Sequence, residues 1–317
     1  MPLKTAQQVL DTFDGIRRAQ NDGRYAPHKP LLILLALARV QRGEQRMAAF
    51  TELEPRLKAL LMEFGPSKSA DRRHLPFWHL GTDKQGELWQ RVGPTSLLLR
   101  PAGATPTLGE LRQEGVQAGF APDIFDALRQ TPGLLQDLAR RVLDAHFPET
   151  LQADIVAATG LDLESIPEVR TTAATTVYPT GGRPIRDPRF RDRVLRAYEF
   201  RCCVCGFDLR IGHMPAGLEA AHIRWHHVGG PDIETNGLSL CALHHKLFDL
   251  GAFTIEPVER RVVFSQHASG GHRGKDGVLM HHGQPMLAPQ DQSFGPDRQF
   301  LEWNRTNVFK TPGRRWN

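Results

Sequence analysis

Cys202-Cys203-Val204-Cys205-Gly206 opens a stretch that continues through Glu219-Ala220-Ala221-His222-Ile223 and Asn236-Gly237 to Cys241-Ala242-Leu243-His244-His245. The pairs Cys202-x-x-Cys205 and Cys241-x-x-His244 supply three thiolates and one imidazole. Four such ligands close a tetrahedral zinc shell with no open position, which makes it a structural site. Gly206 suits the tight turn of the first pair. Cys203 is expected outside the shell, because adjacent side chains point apart. A small module with few core residues gains folding energy from such a metal. The alternative is a set of buried free cysteines, against which the paired spacing speaks.

The residues between the half-sites carry chemistry. Residues 218–223 read as a short strand ending at His222, Gly229-Gly230-Pro231 as a loop, and Asn236-Gly237 as a turn feeding a strand over 238–241. A helix then carries His245, Phe248 and Asp249. Upstream, Asp187-Pro188 opens a helix through Phe190, Val194 and Tyr198. Ten of the fourteen histidines follow it, where hydrolytic chemistry would concentrate. A neutral imidazole can accept a proton from water near pH 7. A divalent ion can bind a scissile phosphate and the departing oxygen together. His226 and His227 are expected in an exposed loop, with phosphate contact as their functional alternative.

The order His222, Asn236, His245 inside two zinc half-sites resembles the HNH, or ββα-metal, nuclease module, over residues 186 to 264. The resemblance implies that His222 is the general base and that His245 ligates a catalytic divalent ion, Mg²⁺, Mn²⁺ or another. It implies that Asn236 orients the base or helps to hold the metal. Many HNH enzymes place Asp or His just before the base, as a ligand. Here that position is Ala221, so Glu219 or Asp249 is left to supply the missing ligand. Ala221 also favours a competing reading, a DNA-binding protein whose HNH fold is catalytically weak.

The chain has 317 residues, formal net charge +5, 40% hydrophobic and 24% charged residues, which suits two soluble globular domains. The basic excess suits a polyanion partner without establishing one. The four cysteines cluster near histidines, which fits a metal site in a reducing cytoplasm better than a secreted disulfide scaffold. No signal peptide is visible, since Lys4, Asp11, Asp14, Arg17 and Arg18 interrupt the start. The apolar run over 31–38 is too short to span a bilayer, so no membrane partner is expected.

In the N-terminal half, Val9, Leu10, Phe13 and Ile16 form a helical stripe after Thr5. Pro30 sits where a first helical turn tolerates it, and residues 31–38 read as a helix buried nearly all round. A third helix is expected from Glu54 to Phe64 with Pro55 in its first turn. The proline in His74-Leu75-Pro76-Phe77-Trp78-His79-Leu80 suggests a loop or edge strand. Strands are expected over 87–92 and 96–99, and helix over 124–146 except near Pro132-Gly133. Residues 167–184, rich in Thr, Ala, Pro and Gly, read as a linker.

Tyr25-Ala26-Pro27-His28-Lys29-Pro30-Leu31-Leu32, with the 74–80 segment, resembles the sulfur-binding domain of phosphorothioation-dependent, type IV, McrA-like restriction endonucleases. Those proteins join such a domain to a C-terminal HNH module, the order found here. The resemblance implies sulfur contacts from His28, Lys29, Leu75, Pro76 and His79. Leu75 stands where some relatives have an aromatic residue. Arg72, Arg73 and His74 are candidate phosphate or base-edge contacts. The same residues also have a structural reading: Pro30 as a helix start, Phe77 and Trp78 as core, Arg72 and Arg73 as a solvated face.

The expectation is therefore an α+β chain of two domains. A mainly helical DNA-binding domain spans 1–165, a linker 166–185, and a small zinc-containing ββα-metal HNH domain 186–317. The function expected is cytoplasmic restriction of double-stranded, phosphorothioate-modified DNA, by a chain for which a homodimer is compatible. An HNH enzyme directed at methylated or unmodified DNA, and an RNA-directed or toxin-like nuclease, are the competitors.

Overall fold

The computed structural model describes residues 4–14, 25–101, 104–163 and 187–315. They form two units. One holds residues 4–14, 26–101, 104–147 and 152–163, the other residues 25, 148–151 and 187–315. The linker expected over 166–185 lies outside the described residues. No helix among those described is long and apolar enough to cross a membrane.

The first unit contains α1 (Ala6–Asp14), α2 (His28–Gln41), β1 (Ala48–Ala49), α3 (Phe50–Phe64), α4 (His74–His79), β2 (Trp89–Val92), α5 (Thr95–Leu98), α6 (Leu108–Gln113), β3 (Gln117–Phe120), α7 (Pro122–Gln130), α8 (Leu134–His146) and most of α9 (Glu149–Thr159). The three strands make one antiparallel sheet in the order β1-β3-β2. Helix α2 is its centre. Residues 30–38 are all buried, as an apolar run without a polar face requires.

Three expectations for this unit are corrected. Helix α3 begins a turn early, at Phe50, because Phe50 and Leu53 extend the buried face of Leu57, Leu60, Leu61 and Phe64. Pro55 thus lies inside the helix, where it costs a hydrogen bond on the exposed face it shares with Thr51. Residues 74–79 are helical rather than a loop or strand. Pro76 is the third residue of α4, in the turn whose N–H groups have no intrahelical acceptor, so the proline costs nothing there. The helix buries Phe77 and Trp78. The strand expected over 96–99 is the short helix α5: Leu97 and Leu98 donate back to the Pro94 carbonyl at 3.0 and 3.2 Å. The stop near Pro132-Gly133 is as expected, with Gly133 at φ +78° before α8.

The second unit runs through α10 (Phe190–Ala197), β4 (Arg210–Ile211), β5 (Met214–Pro215), β6 (Leu218–His222), β7 (Gly237–Cys241), α11 (Ala242–Asp249), β8 (Phe253–Ile255), β9 (Val262–Phe264), α12 (His272–Gly277) and α13 (Arg298–Asn307). Strands β6 and β7 pair antiparallel, with Leu218 opposite Cys241 and His222 opposite Gly237. Helix α11 follows at once, completing a ββα unit. Helix α10 packs so closely on the hairpin that a Cβ at Gly237 would lie 2.4 Å from Val194 Cγ2. The core beneath includes Val194, Tyr198, Ala221, Leu238, Phe248 and Phe264.

Candidate active site and metal centre

The two cysteine-bearing turns meet where β7 enters α11. Ligand atoms of Cys202, Cys205, Cys241 and His244 lie within 4.8 Å of one another. His244 Nδ1 is 3.2 Å from Cys241 Sγ and 3.7 Å from Cys202 Sγ. Three thiols and one imidazole at such spacing form a set that can hold a metal ion. Cys203 is fully buried and outside this group; its amide donates to the Ser239 carbonyl at 2.8 Å.

His222 and His245 open into one cleft of about 530 Å³ in the second unit. His222 ends β6 and stacks on Phe190, ring centroids 4.1 Å apart. Its Nε2 lies 2.7 Å from Asp232 Oδ1. Burial opposes ionisation of Asp232, but the Asp187 amide at 2.6 Å and His222 outweigh it and hold the carboxyl below its usual range. His226 is not in an exposed loop. It is buried in a short 3-10 turn, with Nε2 3.6 Å from Asp232 Oδ2.

His245, on α11, stands between two carboxylates. Nδ1 is 2.6 Å from Glu219 Oε2 and Nε2 is 3.3 Å from Asp249 Oδ2. Burial alone would lower its pKa; Asp249 and then Glu219 outweigh that and raise it to about 9. The hydrogen bond to His245 in turn holds Glu219 below the usual carboxylate range. Two carboxylates around one imidazole make this a site for positive charge. Its two carboxylates and one imidazole are donors that could hold a divalent cation. Ala221 is fully buried in the core, so a carboxylate there would be desolvated, whereas Glu219 keeps 44% of its side chain exposed.

Asn236 is fully buried. Its Oδ1 accepts from the Arg224 amide at 2.9 Å, and Nδ2 donates to the Arg224 and Pro231 carbonyls at 3.0 and 2.9 Å. It closes the loop that carries Asp232 to His222.

In the first unit, the His28 ring nitrogen Nε2 meets the Ser69 carbonyl at 3.0 Å, which joins the start of α2 to the 3-10 turn Ser69–Arg72. Burial, helped by the Arg72 charge, lowers the His28 pKa against that bond. His74 is lowered likewise, by burial and then by Arg73 and His79. Both shifts favour the uncharged ring. Pro76 is buried, Leu75 and Lys29 are half-buried, and Arg72 is exposed. His79 Nε2 pairs with Thr105 Oγ1 at 3.1 Å. Arg73 is turned inward, to Glu54 at 2.7 Å and the Ala70 carbonyl at 2.8 Å. Glu54 also takes two bonds from Arg112, at 2.7 and 2.5 Å.

Sequence reasoning missed Asp232, Trp225 and Thr150. Gly-Gly-Pro-Asp reads as turn chemistry alone, which hides the carboxylate. Trp225 Nε1 donates to Asp249 Oδ1 at 2.7 Å, a partnership with no spacing signal.

Residues 6–164 match the model of the ScoMcrA-like DNA sulfur-binding domain, and residues 202–256 that of the HNH endonuclease. Among solved structures, the sulfur-binding domain of ScoMcrA complexed with phosphorothioated DNA is 23% identical, covering 50% of this chain and 97% of that one at a TM-score of 0.42. The corresponding domain of SprMcrA, also complexed with phosphorothioated DNA, is 20% identical, covering 50% and 95% at 0.38. The type IV phosphorothioation-dependent restriction endonuclease ScoMcrA is 23% identical, covering 64% and 35% at 0.41, so this chain spans about a third of that enzyme. No curated protein matches the chain.

Proposed function

The chain belongs to the ScoMcrA-like DNA sulfur-binding domain family and carries an HNH endonuclease domain, and from this premise we propose that it is a type IV restriction endonuclease of the cytoplasm, which binds phosphorothioate-modified double-stranded DNA and hydrolyses phosphodiester bonds near the modification. The observation that carries the reading is the pairing of His222 with Asp232 and of His245 with Glu219 in one cleft.

In this reading His222 is the general base. Donation of Nε2–H to Asp232 leaves the lone pair on Nδ1, which accepts a proton from the attacking water, and Asp232 stabilises the imidazolium that forms. His245 and Glu219 would hold a divalent ion, with Asp249 orienting the imidazole from behind. When bound, that ion supplies charge neutralisation at the scissile phosphate and departing oxygen. Cys202, Cys205, Cys241 and His244 would hold a structural zinc.

Recognition is assigned to the face of the first unit around His28 and α4. A phosphorothioate sulfur is larger, more polarisable and less strongly hydrated than the oxygen it replaces. The rings of His28, His74 and His79, with Leu75 and Pro76, offer an apolar, polarisable surface that favours the less hydrated atom. Lys29 and Arg72 supply cations for neighbouring phosphates, while Arg73 supports the face through Glu54. The test compares one duplex with and without a single Rp phosphorothioate, in Mn²⁺ or Mg²⁺. Tight binding and nicking of the sulfur duplex alone are expected. Equal affinity for both duplexes, across several flanking sequences and both stereoisomers, overturns the sulfur reading and makes methylated cytosine the next ligand to test.

A further inference from the structure

The cleft that holds His222 and His245 is assembled from two separated stretches of chain. Residues 148–151 belong to the same unit as β6, β7 and α11, although they precede α10. Thr150 Oγ1 donates to Asp249 Oδ2, and Lys246 Nζ, one residue past His245, donates to the Thr150 carbonyl. Trp225 Nε1 takes the other carboxylate oxygen at 2.7 Å.

Asp249 is 3% exposed. A carboxylate that buried stays ionised only if donors surround it. Thr150 and Trp225 are such donors, one on each oxygen, and between them they fix the plane of the carboxylate. The oxygen that Thr150 holds is the one 3.3 Å from His245 Nε2. An acceptor behind Nε2 keeps the proton there and turns Nδ1 toward Glu219, the side open to the cleft.

We propose that Thr150 is a positioning residue of the nuclease site: its hydroxyl fixes Asp249, which orients His245 toward the divalent ion. The proposal rests on the reading of His245 as a ligand of that ion. It also makes the nuclease dependent on a residue ahead of its own domain.

The test is Mn²⁺ binding by titration calorimetry to the zinc-loaded full chain, with cleavage kinetics alongside. Thr150→Val keeps the shape and removes the donor; Thr150→Ser keeps the donor. Thr150→Val should weaken Mn²⁺ binding by about 10-fold, the low end of the loss of an outer-shell partner, since Thr150 acts on His245 through Asp249. It should lower kcat in limiting Mn²⁺, with KM for DNA and zinc content unchanged and the variant still folded at the assay temperature. Thr150→Ser should bind Mn²⁺ like the wild type. Thr150→Ala, which also removes the donor, replaces the valine variant should that one fail to fold. A folded, zinc-loaded donor-less variant with wild-type Mn²⁺ affinity overturns the proposal and leaves the ligand reading standing. His245→Ala with wild-type Mn²⁺ affinity instead overturns the ligand reading, and the proposal with it.

Discussion

Asp232→Asn tests the nuclease reading at its least expected residue. The Asp232 carboxylate is 2.7 Å from His222 Nε2 and its side chain is only 12% exposed, so water does little to screen the pair. Asparagine keeps the shape but carries no charge, and its amide can donate as well as accept. Two losses follow: the imidazolium formed during proton transfer is no longer stabilised, and the His222 tautomer is no longer fixed. Loss of a general base costs about 10²–10⁴-fold in rate. Loss of a carboxylate that sets a catalytic histidine's tautomer reaches about 10⁴-fold in the best-studied triads. We expect a fall in kcat of about 10²–10⁴-fold for Asp232→Asn and for His222→Ala alike. The double variant decides between a working pair and two separate contributions. Independent effects would multiply to about 10⁴–10⁸-fold, whereas a pair acting as one unit leaves the double variant near His222→Ala alone. The assay is single-turnover cleavage of a sulfur-bearing duplex, with binding measured separately and expected to be unchanged. Because Asp232 also accepts from the Asp187 amide at 2.6 Å, thermal unfolding is the control for a collapsed loop. A folded Asp232→Asn protein cutting at the wild-type rate refutes the reasoning.

Elemental analysis should find about one tightly held zinc per chain, lost together with the fold of the second unit on chelation; folded protein with none would refute the structural site. Glu54→Gln should cost at most about 3 kcal/mol by urea denaturation, the low end for a broken buried pair, since Arg112 is 49% exposed. Arg112 and Arg73 hold the Glu54 carboxyl below its ordinary value of 4.5 in the fold, so its stabilisation is present above that pH and lost as pH falls through the folded value. The gap between wild type and Glu54→Gln should therefore close in acid, and a gap unchanged at pH 3 would contradict the assignment. On the recognition face, Lys29→Ala should weaken DNA binding and flatten its salt dependence while keeping some preference for sulfur. Pro76→Asp should abolish that preference, about 1–3 kcal/mol in the wild type, because a desolvated carboxylate repels the anionic ligand; a preference that survives would move the sulfur contact elsewhere.

The second unit was readable because its information is local. Each pair of Cys/His metal-site residues, the Asn236-Gly237 turn and the start of α11 are set by residues only a few positions apart. The structure brings His222 and His245 into one cleft as that local order suggests. The failures come from interactions that short windows do not encode. Pro76 looks like a breaker until its place in the first turn of α4 is known. Residues 96–99 look like a strand until Leu97 and Leu98 turn back on Pro94. Asp232, Trp225 and Thr150 reach the site only because a loop and a distant segment fold onto it, and nothing in their own surroundings marks them.

Asn236 shows how one signature residue can stand for a whole loop. Its spacing from His222 and His245 invites a role beside the water or the metal. In the fold, its fully buried side chain binds both sides of a loop, at Arg224 and at Pro231. The loop must close tightly for this to happen: a Cβ at Gly230 would sit 1.8 Å from the Arg224 carbonyl oxygen. Each unpaired buried group left by a residue other than Asn would cost about 1–3 kcal/mol. The residue after Pro231 is Asp232. Closing the loop therefore aims the carboxylate at His222, and on the proposed reading Asn236 would govern the base from a distance, through backbone geometry. On the proposed reading the motif would join two kinds of residue: histidines that act on protons and ions, and an asparagine that fixes where the carboxylate beside His222 lies.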